Sequence, residues 1–273
     1  MYLEVESVGQ NKARKKAILE ARRNINILKI VYDIHGTLFD LHAESPFDYI
    51  YHMDKSKSTG GGYRNHGKET IFVRRDFLDQ MVSDITSMRI NKHPSDLEKR
   101  LLNAVDIFGL VDDATPLHIR FLLCIIALEG MLLAEGEKDY LGWKLSEKVA
   151  FLLGDTPAWI VTFYRIPPED VRTTLTDDYI NKKRSSARSA LDRQMKKFYG
   201  KRSGFAHGGL EADKSKKISS DDYNMISSIL RWTIEKLIEL HKSGINHIAT
   251  KDKEKISEDA SSLDAYIEKL RYS

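Results

Sequence analysis

Arg202 and His207 are two side chains of this chain well suited in type to phosphodiester chemistry. An arginine presents a planar set of donors to phosphate oxygens and never loses its charge. A histidine titrates near neutrality and can move protons. If a ribose 2′-OH attacks the adjacent phosphorus, no metal is needed in principle. His207 then accepts or donates the proton, and Arg202 stabilises charge on the non-bridging oxygens. Five residues apart on one helix, the two point roughly 140° away from each other. A shared site therefore needs a helix start, a turn or a second subunit. Spacing alone favours the plainer alternative, a surface arginine and a helix-end histidine beside Gly204, Gly208 and Gly209.

The segment running into this pair concentrates positive charge. Lys182, Lys183, Arg184, Arg188, Arg193, Lys196, Lys197, Lys201 and Arg202 lie between Ile180 and Arg202, with Asp192 as the one acid. Nine cations against one acid leave +8 locally, whereas the 273-residue chain carries only +3, from 43 Lys and Arg against 40 Asp and Glu. A basic stripe on a helix attracts phosphate backbones. The competing reading is a solvated helix face answered by acids elsewhere in the fold.

These residues need a helical frame, and the hydrophobic spacing supplies one. Leu97, Leu101, Val105 and Phe108 repeat every three or four residues and predict one helix face, with Gly109 as its end. Pro116 stands near the start of the most apolar helix, about 117–134. A third helix is expected over 141–153, ending at Gly154. Pro157, Pro167 and Pro168 bound a short irregular region. A helix from about Ser186 carries Ala187, Leu191, Met195 and Phe198 on one side. A long helix is expected over 221–241, capped by Ser220 or Asp221, and a short one over 261–270.

The first 75 residues read differently. They predict a basic helix over 11–23, a strand or buried turn of helix over 27–32, and an irregular glycine-bearing stretch with short β-prone pieces and a mobile loop around Lys55–His66. The expected organisation is an N-terminal accessory region of mixed structure (1–75), a helical domain (76–245) and a C-terminal helical extension (246–273). Helix-on-helix burial must make the core from residue 76 onward.

With the helices placed, a family resemblance emerges. Arg202-x4-His207 fits the Arg–His motif of the HEPN superfamily, and Lys197-Phe198-Tyr199-Gly200-Lys201-Arg202-Ser203…His207-Gly208 resembles its Apea-like branch. Arg120-Phe121-Leu122…Ala127-Leu128-Glu129-Gly130 is similar to that branch's Arg-Phe…Ala-Leu-Glu helix. Lys144-Leu145…Val149-Ala150-Phe151-Leu152-Leu153-Gly154 is similar to the helix that follows it, and Leu101–Gly109 to the one before. The likeness covers about residues 95–240. It implies a mainly α fold, a HEPN-type antiparallel helical bundle, here with a small N-terminal α+β region. It implies a homodimer whose Arg–His motifs line a cleft. It also implies a metal-independent endoribonuclease without cofactor, of the kind found in anti-phage defence or toxin–antitoxin systems. The alternative is a non-catalytic module that binds RNA or a regulatory or antitoxin protein. Ser203 follows the arginine where many active members carry Asn, Asp or His, a change the Apea-like branch tolerates.

By this resemblance Arg202 and His207 are the catalytic pair, with Ser203 and Tyr199 as helpers. Glu129, a charge on an otherwise apolar helix, needs a partner. It is expected to orient Arg202 or His207, or to pair with Arg120. The basic residues from Lys182 to Lys201 are expected to face RNA.

Other signals are weaker. Lys29–Asp40 is similar to the first motif of haloacid dehalogenase-like phosphatases, with Asp33 at the nucleophile position but His35 where a second Asp belongs. The histidines and aspartates of residues 33–66 match no strong metal spacing. The glycines at 60–62 lack the Gly-Lys-Ser/Thr of a phosphate loop. Trp143, Trp159 and Trp232 read as core or interface residues. A single cysteine, Cys124, excludes an internal disulfide framework, and no stretch has the length of a membrane span, so a cytoplasmic protein is expected.

Overall fold

The computed structural model describes residues 10–32, 51–53, 57–59, 75–111, 116–134, 139–167, 169–208, 218–249 and 259–272. Some side chains within these helices, His207 among them, lie outside the description. The chain is mainly α, as its periodicity predicts, and divides into two compact units between Val82 and Ser83.

In the first unit, α1 spans Gln10–Tyr32 as one helix. The basic helix and the ambiguous 27–32 segment are therefore a single element. Lys29–Tyr32 is helical where the phosphatase-like motif requires a strand; Asp33 and His35 lie outside the described residues. Strands β1 (Tyr51–Met53) and β2 (Lys57–Thr59) pair antiparallel, with Tyr51 opposite Thr59 and Met53 opposite Lys57. The rest of the Lys55–His66 segment lies outside the description. Helix α2 (Arg75–Ile90) contains the division between the units.

The second unit is built on α3 (Asp96–Val111), α4 (Leu117–Leu132), α5 (Leu141–Leu153), α6 (Pro157–Tyr164), α7 (Val171–Thr174), α8 (Asp177–Gly208), α9 (Ser220–Lys242) and α10 (Leu263–Arg271). Helix α3 packs on α4, α9 packs on both, and α5 packs on α8. The centre is α4, whose Phe121, Cys124, Ile125, Leu128, Met131 and Leu132 are fully buried. Each of the larger ones, the Phe, Ile, Leu and Met side chains, contributes about 1.5–3 kcal/mol by leaving water. Two cations cap the far end of α4. Arg100 donates through Nη1 to the Gly130 and Leu133 carbonyls, both at 2.8 Å, and Lys148 Nζ donates to the Leu132 carbonyl at 2.8 Å. Positive charge there satisfies the orphan carbonyls and opposes the helix dipole. Lys148 also pairs with Asp264 at 2.7 Å, and Arg271 with Glu147 at 2.8 Å, so α10 is docked on α5.

Several boundaries differ from the expectation for local reasons. Gly109 lies buried inside α3 rather than ending it. Pro157 begins a helix instead of bordering irregular chain: it sits at the first turn of α6, and Thr156 Oγ1 accepts from the Trp159 N–H. Helix α8 starts at Asp177, ahead of Ser186. Ser219, not Ser220 or Asp221, caps α9 in a reciprocal box: its Oγ accepts from the Asp222 N–H while its own N–H donates to the Asp222 carboxylate. Gly154 lets α5 approach α8 closely, since a Cβ there would come within 2.8 Å of the Arg188 Cα.

Asp222 also receives Lys201 Nζ at 2.5 Å, with both side chains only 10% exposed. Burial pushes the Asp222 carboxyl up, but the hydrogen bonds from Lys201 and Ser219 outweigh it and hold the group below its ordinary value. A carboxylate depressed in this way stabilises the fold above its unfolded pKa, and that stability is lost as pH falls through the folded value. Replacing Lys201 by methionine strands a buried charge. We expect K201M to lose about 3 kcal/mol in urea unfolding at pH 7 and to unfold at a higher pH than the parent in acid titration. An unchanged acid midpoint would contradict the role given to this pair.

Candidate functional site

Three helices bring the candidate residues together. The packing of α4 fixes its rotation and places Glu129 on its last full turn. Helix α8 contributes Tyr199 and Arg202, and α5 brings Gly142. Arg202 Nη2 donates to Glu129 Oε2 at 3.3 Å, with Arg202 30% and Glu129 16% exposed. The other carboxylate oxygen, Oε1, is buried without a hydrogen-bond partner among the described residues. The Arg202 guanidinium also lies over the Tyr199 ring, 5.5 Å from its centroid. Of the alternatives for Glu129, the structure brings it to Arg202; Arg120 is half-buried earlier on α4.

The electrostatics follow from this arrangement. The Tyr199 hydroxyl is raised above its ordinary pKa, first by burial and then by the Glu129 carboxylate, while Arg202 pulls the other way. Tyr199 is thus a neutral phenol that can donate a hydrogen bond. Its ring is pressed against Gly142, where a Cβ would come 2.4 Å from Tyr199 Cδ1. A carboxylate and an aromatic face therefore hold the guanidinium while leaving it accessible. An arginine carries five N–H donors, so one contact to Glu129 leaves the group chemically able to grip a phosphate.

Helix α8 runs unbroken through Gly208, so Arg202 and His207 stand on one continuous helix, about 140° apart around its axis. Between them, Ser203 is half-buried. Phe205 stacks on His118 of α4, with centroids 5.6 Å apart and planes at 11°. Sequence reasoning missed His118; an imidazole at the start of an apolar helix was its only signal.

The basic run does not form one surface. Arg188 is turned inward, where it pairs with Asp155 at 3.0 Å, donates to the Leu270 carbonyl and covers the Phe151 ring. Lys201 is buried on Asp222. These two, expected to face RNA, serve the packing of the bundle. Arg184 binds Asn181 at 2.8 Å and lies 3.4 Å from Asp155. Lys183 sits over two tyrosine rings. Lys182, Arg193, Lys196 and Lys197 are exposed, although Lys196 also reaches Asp192 at 2.8 Å. Acids elsewhere in the fold thus answer part of the local +8, and the remainder is displayed outward.

Among the described residues no group of three His, Cys, Asp or Glu side chains is placed to hold a metal ion, and no helix is long and apolar enough to cross a membrane. The chain matches no protein-family model, no curated protein and no solved structure.

The contact of Gly142 with Tyr199 makes the site testable without a substrate. Gly142→Ala is expected to cost about 1–3 kcal/mol by overpacking. Tyr199→Ala in the same chain removes the clash, so the double variant should lose clearly less than the two single losses combined. Urea unfolding measures all three. Strictly additive losses would mean that the ring does not depend on this glycine.

Proposed function

We propose that this chain is a metal-independent endoribonuclease of HEPN type, acting in anti-phage defence or a toxin–antitoxin system. The observation that carries the reading is the Arg202 guanidinium, held by Glu129 and Tyr199 yet open to solvent, on the helix that also bears His207. The exposed cations of α8 add a route for a phosphate backbone.

The residues divide the work as follows. His207 takes the proton from the ribose 2′-OH as that oxygen bonds to the adjacent phosphorus. The bond from phosphorus to the 5′-oxygen breaks, leaving a 2′,3′-cyclic phosphate and a 5′-hydroxyl once the leaving oxygen gains a proton. Arg202 stabilises the charge on the non-bridging oxygens. Glu129 is a positioning residue, and Tyr199 supplies the face on which the guanidinium rests. Ser203 stands next to Arg202 as a further helper. Because one helix keeps Arg202 and His207 on different sides of its axis, a second copy of the chain completes the site, and the working form is a homodimer. A regulatory or antitoxin protein is the partner class that would restrain such an activity, and the cytoplasm is where its RNA would be met.

The test mixes purified full-length chain with single-stranded and structured RNA in the presence of EDTA. Cleavage leaving 2′,3′-cyclic phosphate ends is expected, with a loss of about 100-fold or more in R202A and in H207A. Salt-dependent binding without cleavage would replace this reading with the second one, a non-catalytic RNA-binding module, which the outward-facing cations favour. Cleavage that survives in both variants would place the chemistry elsewhere.

A further inference from the structure

At the junction of α6 with the first half of α8, aromatic and cationic side chains form a cluster that the cleavage chemistry does not use. Phe163 is 40% exposed. Its ring is backed by Trp159, nearly parallel at 5.8 Å, and by the edge of Tyr164 at 4.8 Å. Trp159 is itself buried, with its indole N–H donating to the Ala187 carbonyl at 2.9 Å, so the backing is fixed to α8. Tyr164 meets Tyr179 edge-on at 6.2 Å, and Lys183 Nζ lies 5.0 Å above one ring and 5.7 Å above the other. The Tyr164 hydroxyl contacts Ser186 Oγ at 2.6 Å, which joins the cluster to the outer face of α8.

That outer face continues as a cationic track. Tyr179, Lys182, Ser186, Arg193 and Lys197 fall within about 60° of one another around the helix axis and span roughly 27 Å along it. Asp178 and Asp192 border the track, the latter neutralised by Lys196 at 2.8 Å. A rigid, solvent-facing aromatic ring at one end of a line of cations matches one ligand chemistry: an unpaired base stacked on the ring, with its own phosphates following the cations. A duplex presents phosphates but no free base face, and its grooves hide the ring surfaces from Phe163.

We infer that the Phe163–Tyr164–Tyr179 cluster is a stacking platform for a single-stranded RNA segment, whose backbone is carried along α8 by Lys182, Arg193 and Lys197. The inference rests on the RNA reading of the preceding subsection and adds its substrate class and point of entry. The platform lies roughly 28 Å, measured along α8 from Lys183, before Arg202, and around the axis the track stands roughly 140–180° from Arg202 but within about 80° of the position of His207. It therefore binds nucleotides well removed from the bond that is cut and leads them toward the histidine side of α8, and RNA too short to span both places can occupy only one of them.

The test measures fluorescence anisotropy of labelled RNA with the full-length H207A chain, in which turnover is blocked, at about 100 mM salt. Single strands of about four and about twelve nucleotides and a twelve-pair duplex are compared. The longer single strand should bind best. Phe163→Ala should weaken it about tenfold, while Phe163→Trp should restore binding. Unchanged thermal melting excludes a folding defect, and the tryptophan variant keeps the test decisive if the alanine variant is unstable. Lys182→Ala with Arg193→Ala should make binding less sensitive to salt. Equal affinities of Phe163→Ala and its parent would overturn the platform, as would a duplex binding as tightly as the single strand. Phe163-dependent binding in a protein that cuts no RNA would sustain the platform while removing the nuclease. RNA cleavage with no dependence on Phe163 would do the reverse.

Discussion

A carboxylate on the central, largely apolar helix of a bundle needs a partner, and Glu129 finds Arg202. The rest of the site hangs on that pairing. Burial of the apolar face sets the rotation of α4, and Arg100 and Lys148 fix its far end by gripping the last carbonyls. Glu129 thus has little freedom, and the arginine that meets it inherits a defined position. The pair itself is partly solvated and joined by a single 3.3 Å contact, so it contributes on the order of 1 kcal/mol or less to stability. Its value is geometric. A guanidinium braced on one side by a carboxylate and below by the Tyr199 ring has lost much of its rotamer freedom.

The same helix shows how charge in a sequence becomes charge in a fold. Nine cations in 180–202 look like one surface when counted along the chain. Around the helix they separate. Arg188 and Lys201 turn inward to Asp155 and Asp222, where they join elements distant in sequence. Lys182, Arg193 and Lys197 turn outward and remain with solvent. Inward cations secure α8 against α5, α9 and the loop after α5, and that anchoring lets the outward ones form a straight track.

Much of this was legible in the residues. The three-and-four spacing of Leu97, Leu101, Val105 and Phe108 gives α3, and the apolar run from Phe121 to Leu128 gives the central helix. A lone acid on that helix announces a buried partner, although composition cannot choose among Arg202, His207 and Arg120; only the crossing of α4 and α8 does. Pro157 misled because a proline that ends one helix and a proline that starts the next look alike without the Thr156 cap. The inward cations were hidden because Asp155 and Asp222 lie outside the basic segment. The Phe163 cluster was invisible for a similar reason: its rings come from α6 and α8, and no spacing within either helix relates them.

The central claim is that Arg202 and His207 act together although a continuous helix separates them around its axis, so that two copies of the chain make one site. Mixing the inactive R202A and H207A chains, after unfolding and joint refolding, tests it most directly. Random pairing makes half the dimers mixed, and each mixed dimer keeps one complete site from the arginine of one protomer and the histidine of the other. The account predicts recovery of about one quarter of the parent rate of RNA cleavage. A mixture as inactive as either variant alone, beside an active parent treated in the same way, would contradict it.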